Sequence, residues 1–236
     1  MPTAPRPTLT ERRKAETQME IARTAAALFS EHGAGSVTAE GIAREAGVSL
    51  RTFYRYFRTK EEAVAPLLTG GVRQWLDDLA AAPPGLPVAE ALESAVRTAL
   101  TPEGEEAAEA LRWTRDLLRA MPDEPALRSV WHRVHSDSEE SLVPVLGTLV
   151  RADTDPLEVR LLAAAVNTAM RVAVETWAAD AADATGSAGS AGSAGSAGSA
   201  DEGEAGEREQ DRGRGPAETA VSCVRKLTAG LHTPRA

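Results

Sequence analysis

Apolar residues in this chain recur three and four positions apart. Ile21, Ala25, Leu28 and Phe29 make one such stripe, and Leu111, Thr114, Leu117, Leu118 and Met121 another. That period is a helix face, and neither segment shows the two-residue alternation of a strand. Helix breakers divide the stripes: Gly33 with Gly35, Gly47, the Pro83 to Pro87 cluster, Pro102, Pro122 with Pro125, and Pro156. The expectation is an all-α protein. Its most apolar helix should run from Leu157 to Ala182. There Leu161, Leu162, Val166, Ala169, Met170, Ala173, Val174 and Trp177 cover a face wider than one core stripe needs, which predicts packing on two sides.

Residues 186–200 repeat Gly-Ser-Ala five times, and residues 201–215 are almost all charged or glycine. Such a composition buries too little apolar area to offset chain entropy, so residues 185–215 are expected to form a disordered linker. Pro216 then suits the start of a short helix that carries Val221, Val224, Leu227 and Leu231 on one face and must dock elsewhere. Cys223 within it reads as a small packed residue. As the single cysteine it excludes an intrachain disulfide, and with His32 and His232 isolated a Cys/His zinc cluster is excluded too. No uncharged apolar run approaches the roughly 18 residues of a membrane span, and the N-terminus lacks the apolar stretch of a secretory signal. A cytoplasmic protein with no membrane partner is expected.

Charge is unevenly spread. Residues 1–60 hold ten Lys/Arg against six Asp/Glu, whereas the remainder holds 16 against 29. A basic quarter on an acidic body suits a nucleic-acid contact confined to that quarter. The same stretch has the densest local signals. Thr38 suits the cap of a helix with Ile42, Ala43 and Ala46, Gly47 a left-handed turn, and Ser49 the cap of a second helix from Leu50 to Arg55. This is a helix-turn-helix pattern, with Ile42, Val48 and Phe53 between the helices and Leu50, Arg51, Thr52 and Arg55 on the outer face. Thr59 and Glu62 read as a capping box opening the next helix.

The stretch from Ser36 to Val64, SVTAEGIAREAGVSLRTFYRYFRTKEEAV, resembles the TetR family of bacterial regulators. The resemblance extends over about 60 residues. It joins a first helix ending Ala-Leu-Phe-Ser-Glu-His-Gly, the turn Ile-Ala-x-x-Ala-Gly-Val-Ser, the segment Thr-Phe-Tyr-x-Tyr-Phe, and Thr-Lys-Glu before helix four. It implies a three-helix DNA-binding domain at residues 8–60. A helical ligand-binding and dimerising domain would follow at 61–184 with 216–231. The partners it implies are double-stranded DNA with a palindromic operator, a second copy of the chain, and a small apolar effector. A weaker likeness, Arg-Thr-Phe-Tyr-Arg-Tyr-Phe together with Trp177 closing the penultimate helix, points to the subgroup with acyl-CoA-like ligands.

For DNA, the resemblance implies a base or phosphate contact at Thr52 and phosphate contacts at Tyr54, Tyr56 and Lys60. Arg51 is the best base reader, since a guanidinium can meet guanine with two hydrogen bonds, and Arg55 suits phosphate. Thr38 and Ser49, the caps, complete the expected set. Tyr54 and Tyr56 also suit partial packing, while Phe53 and Phe57 belong to the core. Arg12, Arg13 and Lys14 read either as an arm reaching DNA or as a solvated helix start. Trp75, Trp113, Leu117, Met121, Trp131, Asn167, Met170 and Trp177 are the candidate ligand-binding residues, with Leu79 and Leu142 beside them. His132, His135 and Glu139 share a helix face, but no further ligand is evident and no metal or cofactor is expected.

Pro66 and Gly70-Gly71 fall inside helix four, where they read as a break, either a hinge or a static bend. Catalysis has little to stand on: the sequence has no phosphate loop, no Gly-x-Ser-x-Gly elbow and no metal-ligand cluster. The expected function is a ligand-responsive repressor. The alternatives are a DNA-binding regulator without an effector and an enzyme without a recognisable motif.

Overall fold

The computed structural model describes residues 8–186 and 215–229. Among them there are helices and turns but no strand. In chain order the helices are α1 (Leu9–His32), α2 (Ala39–Glu45), α3 (Leu50–Tyr56), α4 (Ala65–Ala80), α5 (Val88–Leu100), α6 (Glu105–Ala120), α7 (Pro125–Leu149), α8 (Pro156–Gly186) and α9 (Pro216–Ala229). Short 3-10 turns cover Ala34–Ser36 and Glu61–Val64. Three helices begin at a proline, where the missing N–H removes no intrahelical bond and the fixed φ is already helical. No described helix is long and apolar enough to cross a membrane.

The described residues fall into two compact units, one of residues up to 72 with 104–134, the other of residues 73–103 with those from 135 onward. This differs from the division expected from the sequence, which places α6 and the start of α7 outside the DNA-binding part. Side chains more than 80 positions apart meet between α1 and α6. Within the first unit Arg23 of α1 pairs with Glu106 of α6, and Ser30 of α1 hydrogen-bonds Asp116 of α6. Local sequence carries no trace of such pairings.

The second unit is built around one apolar cluster. Trp75 and Leu79 of α4, Leu92 and Val96 of α5, and Leu142 and Leu146 of α7 meet Val166, Met170 and Ala173 of α8 and Val221 and Val224 of α9. At about 1.5 to 3 kcal/mol for each large side chain removed from water, this cluster supplies the main driving force for ordering these helices. Arg225 of α9 adds two hydrogen bonds to Glu93 of α5, at 2.6 and 2.8 Å. That carboxylate holds the Arg225 guanidinium above its ordinary range.

Four expectations are corrected. First, α4 is continuous from Ala65 to Ala80 through Gly70 and Gly71, with no break. Pro66 is its second residue, where a proline ends no helix. Second, the helix does not open directly at the capping box. Thr59 Oγ1 accepts from the Glu62 N–H at 3.2 Å, but the Glu62 carboxylate reaches back to the N–H of Arg58, and a 3-10 turn intervenes before Ala65. Third, α8 includes residues 185 and 186, assigned to the linker; the rest of that tract up to residue 214 lies outside the described residues. Fourth, the buried face of α9 is Ala220, Val221, Val224 and Thr228, and Leu227 is exposed. Thr228 tolerates burial because its hydroxyl donates to the Val224 carbonyl at 3.0 Å. Leu231 lies outside the described residues.

Candidate nucleic-acid interface

The candidate interface starts from a well-anchored first helix. The Thr8 hydroxyl accepts from the Glu11 N–H, and the Glu11 carboxylate accepts from the Thr8 N–H at 2.7 Å, a complete capping box. These bonds lower the Glu11 carboxyl pKa, the backbone bond to Thr8 most. The buried stripe Ile21, Ala22, Ala25, Ala26 and Phe29 faces the core, and Gly33, at φ +77°, ends the helix in a backbone region that L side chains rarely adopt. Arg12, Arg13 and Lys14 lie exposed in the opening turns of α1, where both of their readings, a DNA-contacting arm and a solvated helix start, keep their side chains free of the core.

Thr38 caps α2 by accepting from the Gly41 N–H at 3.0 Å. At the end of α2 the Val48 N–H donates to Ala43 O at 2.9 Å, and Gly47 lies at φ +66°. These bonds satisfy carbonyls that the helix end leaves open, and the left-handed glycine turns the chain into α3. Ser49 caps α3, accepting from the Thr52 N–H at 3.1 Å. Ile42 and Phe53 are fully buried, Phe57 is buried and Val48 is half-buried. The Phe53 ring meets Tyr54 edge-on with centroids 5.5 Å apart. With its inner face so occupied, α3 turns Arg51, Tyr54 and Arg55 outward.

The two arginines differ. Arg55 Nη2 donates to the Tyr56 hydroxyl at 3.1 Å, with its guanidinium carbon 4.9 Å from the centre of the Tyr56 ring. Arg51 is exposed and has no hydrogen bond or ion pair among the described residues. All five of its N–H donors are open to a base edge. The phenol of Tyr56 accepts from Arg55 and keeps its own O–H to donate. Thr52 Oγ1 lies 2.9 Å from Ser49 Oγ, so the helix cap shares its hydroxyl.

Lys60 is placed differently from its neighbours on the expected list. Its ammonium donates to Ala34 O at 2.6 Å and Val37 O at 2.8 Å and lies 3.8 Å from the buried Glu61 carboxylate. Two of its three N–H donors therefore clamp the α1–α2 connection to the turn before α4. Sequence reading missed this clamp because its partners are backbone carbonyls more than 20 positions away.

The eight candidate ligand residues divide between the units. Half-buried Trp113 and buried Leu117, Met121 and Trp131 lie in the first, and Trp75, Asn167, Met170 and Trp177, all buried, in the second. Asn167 Nδ2 donates to His135 O at 3.0 Å, and its Oδ1 lies 3.5 Å from His135 Nδ1. This amide thus joins α7 to α8. His135 is buried while His132 is exposed, and no group of three His, Cys, Asp or Glu gathers as a metal site among the described residues.

A short first helix, a tight glycine turn and a second helix with an outward row of Arg and Tyr define a helix-turn-helix DNA-binding protein. Comparison sharpens that class. Residues 21–65 match the family model of bacterial regulatory proteins, tetR family. This stretch is therefore a DNA-binding domain of the kind found in bacterial regulatory proteins of the tetR family.

The rest of the chain shares its fold with solved regulators. NalD of Pseudomonas aeruginosa, the secondary repressor of the MexAB-OprM multidrug efflux pump, is 18% identical, with a TM-score of 0.53 over 93% of this chain and 97% of that one. TetR-family regulators from a Rhodococcus species (15% identical, TM-score 0.51) and from Mesorhizobium loti (20%, 0.50) each align over 92% of this chain and 98% of theirs. No curated protein matches the sequence significantly.

Proposed function

We propose that the protein is a cytoplasmic homodimeric repressor that reads a palindromic operator with two copies of α3 and leaves it when a small effector binds. The observation that carries this is Arg51, unpaired and exposed on a short helix whose caps and buried phenylalanines hold it rigidly. Arg51 reads a guanine edge, Thr52, Tyr54, Arg55 and Tyr56 meet phosphates or a base, and Thr38 and Ser49 face the backbone from their caps. Lys60 supports this surface by its clamp.

A second copy is the partner that the exposed side of α8 and α9 suits. Leu157, Leu161 and Val172 are 61, 60 and 42% exposed, spaced to share one side of α8, and Leu227 of α9 is 39% exposed. Covering this stripe by its symmetry mate would give the two-sided packing expected of α8, and a palindromic operator in turn requires two copies of α3 to meet half-sites about one helical turn apart. The effector is apolar, in keeping with the Trp and Met candidates and with the acyl-CoA-like resemblance. To cause release it must favour a conformation with lower DNA affinity.

Selection of binding sites from random DNA tests the reading, followed by titration of acyl-CoAs and other apolar metabolites against the complex. A palindrome emerges, and one ligand class releases it. An unenriched pool overturns the DNA reading. A bound operator that no such ligand releases favours the regulator without an effector.

A further inference from the structure

Residues 58–62 lead from α3 into the 3-10 turn before α4, and three parts of the first unit are tied to them. Glu62 Oε2 accepts at 2.9 Å from the N–H of Arg58, the first residue past the α3 C-cap Phe57, and the Glu62 N–H donates to Thr59 Oγ1 at 3.2 Å. Lys60 holds the same turn to the carbonyls of Ala34 and Val37. The third tie comes from α7. Arg133 Nη1 donates to Glu62 Oε1 at 3.3 Å, across 71 positions of sequence.

A second contact seats the start of α7. The Glu124 carbonyl accepts from the Arg128 N–H, and its side-chain Oε1 comes within 3.1 Å of where a Cβ on Gly35 would stand. Glu124 therefore lies against the α1–α2 connection that Lys60 grips. Glu124 and Arg133 are about 13 Å apart along the helix at 1.5 Å per residue, so two separated points hold this stretch to the helix-turn-helix. Between them Leu127, Val130 and Trp131 are buried. A helix fixed in this way brings Arg133 to Glu62 from a defined position.

Exposed ion pairs add little to stability, and the Arg133 side chain is 53% exposed. The effect of this pair is on position. The carboxylate that Arg133 holds is the one that accepts from Arg58, so the pair fixes the chain just beyond Tyr56 and with it the end of α3. We propose that Arg133 is a positioning residue for operator binding, acting through Glu62 on the C-terminal end of α3. This rests on the DNA-binding reading above. Base readout tolerates only about 0.5 Å of misplacement, so a looser turn costs specific binding first. Non-specific binding needs only charge near phosphate and is hardly affected.

The test compares wild type, Arg133→Met, Arg133→Lys and Glu62→Gln on the selected operator and on a random duplex at two salt concentrations, with amide spectra of each DNA-free chain. Arg133→Met should bind the operator about fivefold more weakly, the scale of an exposed ion pair in each protomer, and the random duplex as the wild type does. Its salt slope and urea midpoint should not change. Arg133→Lys keeps a cation and should recover most of the loss. Glu62→Gln keeps an oxygen for the Arg58 N–H but not the charge, so it should lose as much as Arg133→Met, and the double variant no more than either. The amides of Phe57 and Arg58 should shift in DNA-free Arg133→Met.

Weaker binding to both duplexes, with a salt slope reduced by about 0.9 for each arginine lost, would make Arg133 a phosphate contact and overturn the proposal. Losses that add in the double variant, or unmoved Phe57 and Arg58 amides, would overturn it too. A pool with no enriched operator removes the DNA-binding reading and with it the role of the pair. An operator that the wild type selects and that Arg133→Met binds equally well removes the role of the pair alone.

Discussion

The recognition helix α3 and the closing helix α9 are both too short to stand alone, since isolated helices under about 12 to 15 residues are marginal even with good helix formers. They are stabilised by different means. α3 has its cap at Ser49, its glycine turn at Gly47 and its packing partner Ile42 all within a dozen positions, and each local cue agrees with the final structure. α9 has a proline start and little else locally. Its place depends on Ala220, Val221 and Val224 meeting α5 and α8 and on the Arg225 bonds to Glu93, 132 positions away. The first is written by neighbours in sequence, the second by neighbours in space, and perturbations should separate them.

The largest effect is expected where burial alone decides. Val166→Asp places a charge at a fully buried position of α8 and should remove about 3 to 5 kcal/mol in urea unfolding. Leu161→Asp, on the same helix but exposed, should leave unfolding of the single chain within about 0.5 kcal/mol while shifting sedimentation toward monomer. Equal losses of stability from the two would remove the distinction between the core and outer sides of α8.

Arg51→Ala touches no packing. It should leave stability unchanged and cost about 1 to 3 kcal/mol of operator binding, with preference relaxed at one base in each half-site. An unchanged base preference would mean that another residue reads the operator.

Lys60→Met discriminates a clamp from a phosphate contact. Losing two hydrogen bonds from a charged donor should lower stability by about 1 to 3 kcal/mol and weaken binding to all sequences, with the salt dependence preserved. A phosphate contact would instead reduce the salt slope by about 0.9 for each lysine lost and leave stability alone.

The smallest effect is the pH response of the α1 cap. The folded Glu11 carboxyl has a lowered pKa, so its contribution is present above the ordinary carboxylate range and is lost as pH falls through the lowered value. Amide shifts of Thr8 and Glu11 should report fraying of the first turn in acid while the α3 amides stay fixed. Simultaneous loss at both would show that the cap and the recognition helix are one cooperative unit.

Legibility in the sequence followed the range of the interactions. The caps at Thr38 and Ser49, the turn at Gly47 and the core roles of Phe53 and Phe57 could be read because each needs only a few adjacent positions. Lys60 was legible as a cation near the interface but not as a clamp, since the carbonyls of Ala34 and Val37 carry no residue code. Pro66 and Gly70-Gly71 misled in the other direction. Their breaking tendency is local, and the packing of Leu67, Leu68, Trp75 and Leu79 along α4 overrides it.

By itself, then, the sequence determined helices with their caps, a helix-turn-helix and an outward basic face, because 3.6-residue periodicity, capping hydroxyls and a left-handed glycine act over one or two turns. Only the tertiary structure decided that α6 packs with the DNA-binding helices, that α9 buries Thr228 in place of Leu227, and that Arg133 of α7 meets Glu62. Those outcomes depend on which distant surfaces fit and which polar atoms find partners, and close packing settles both only when the whole unit is assembled.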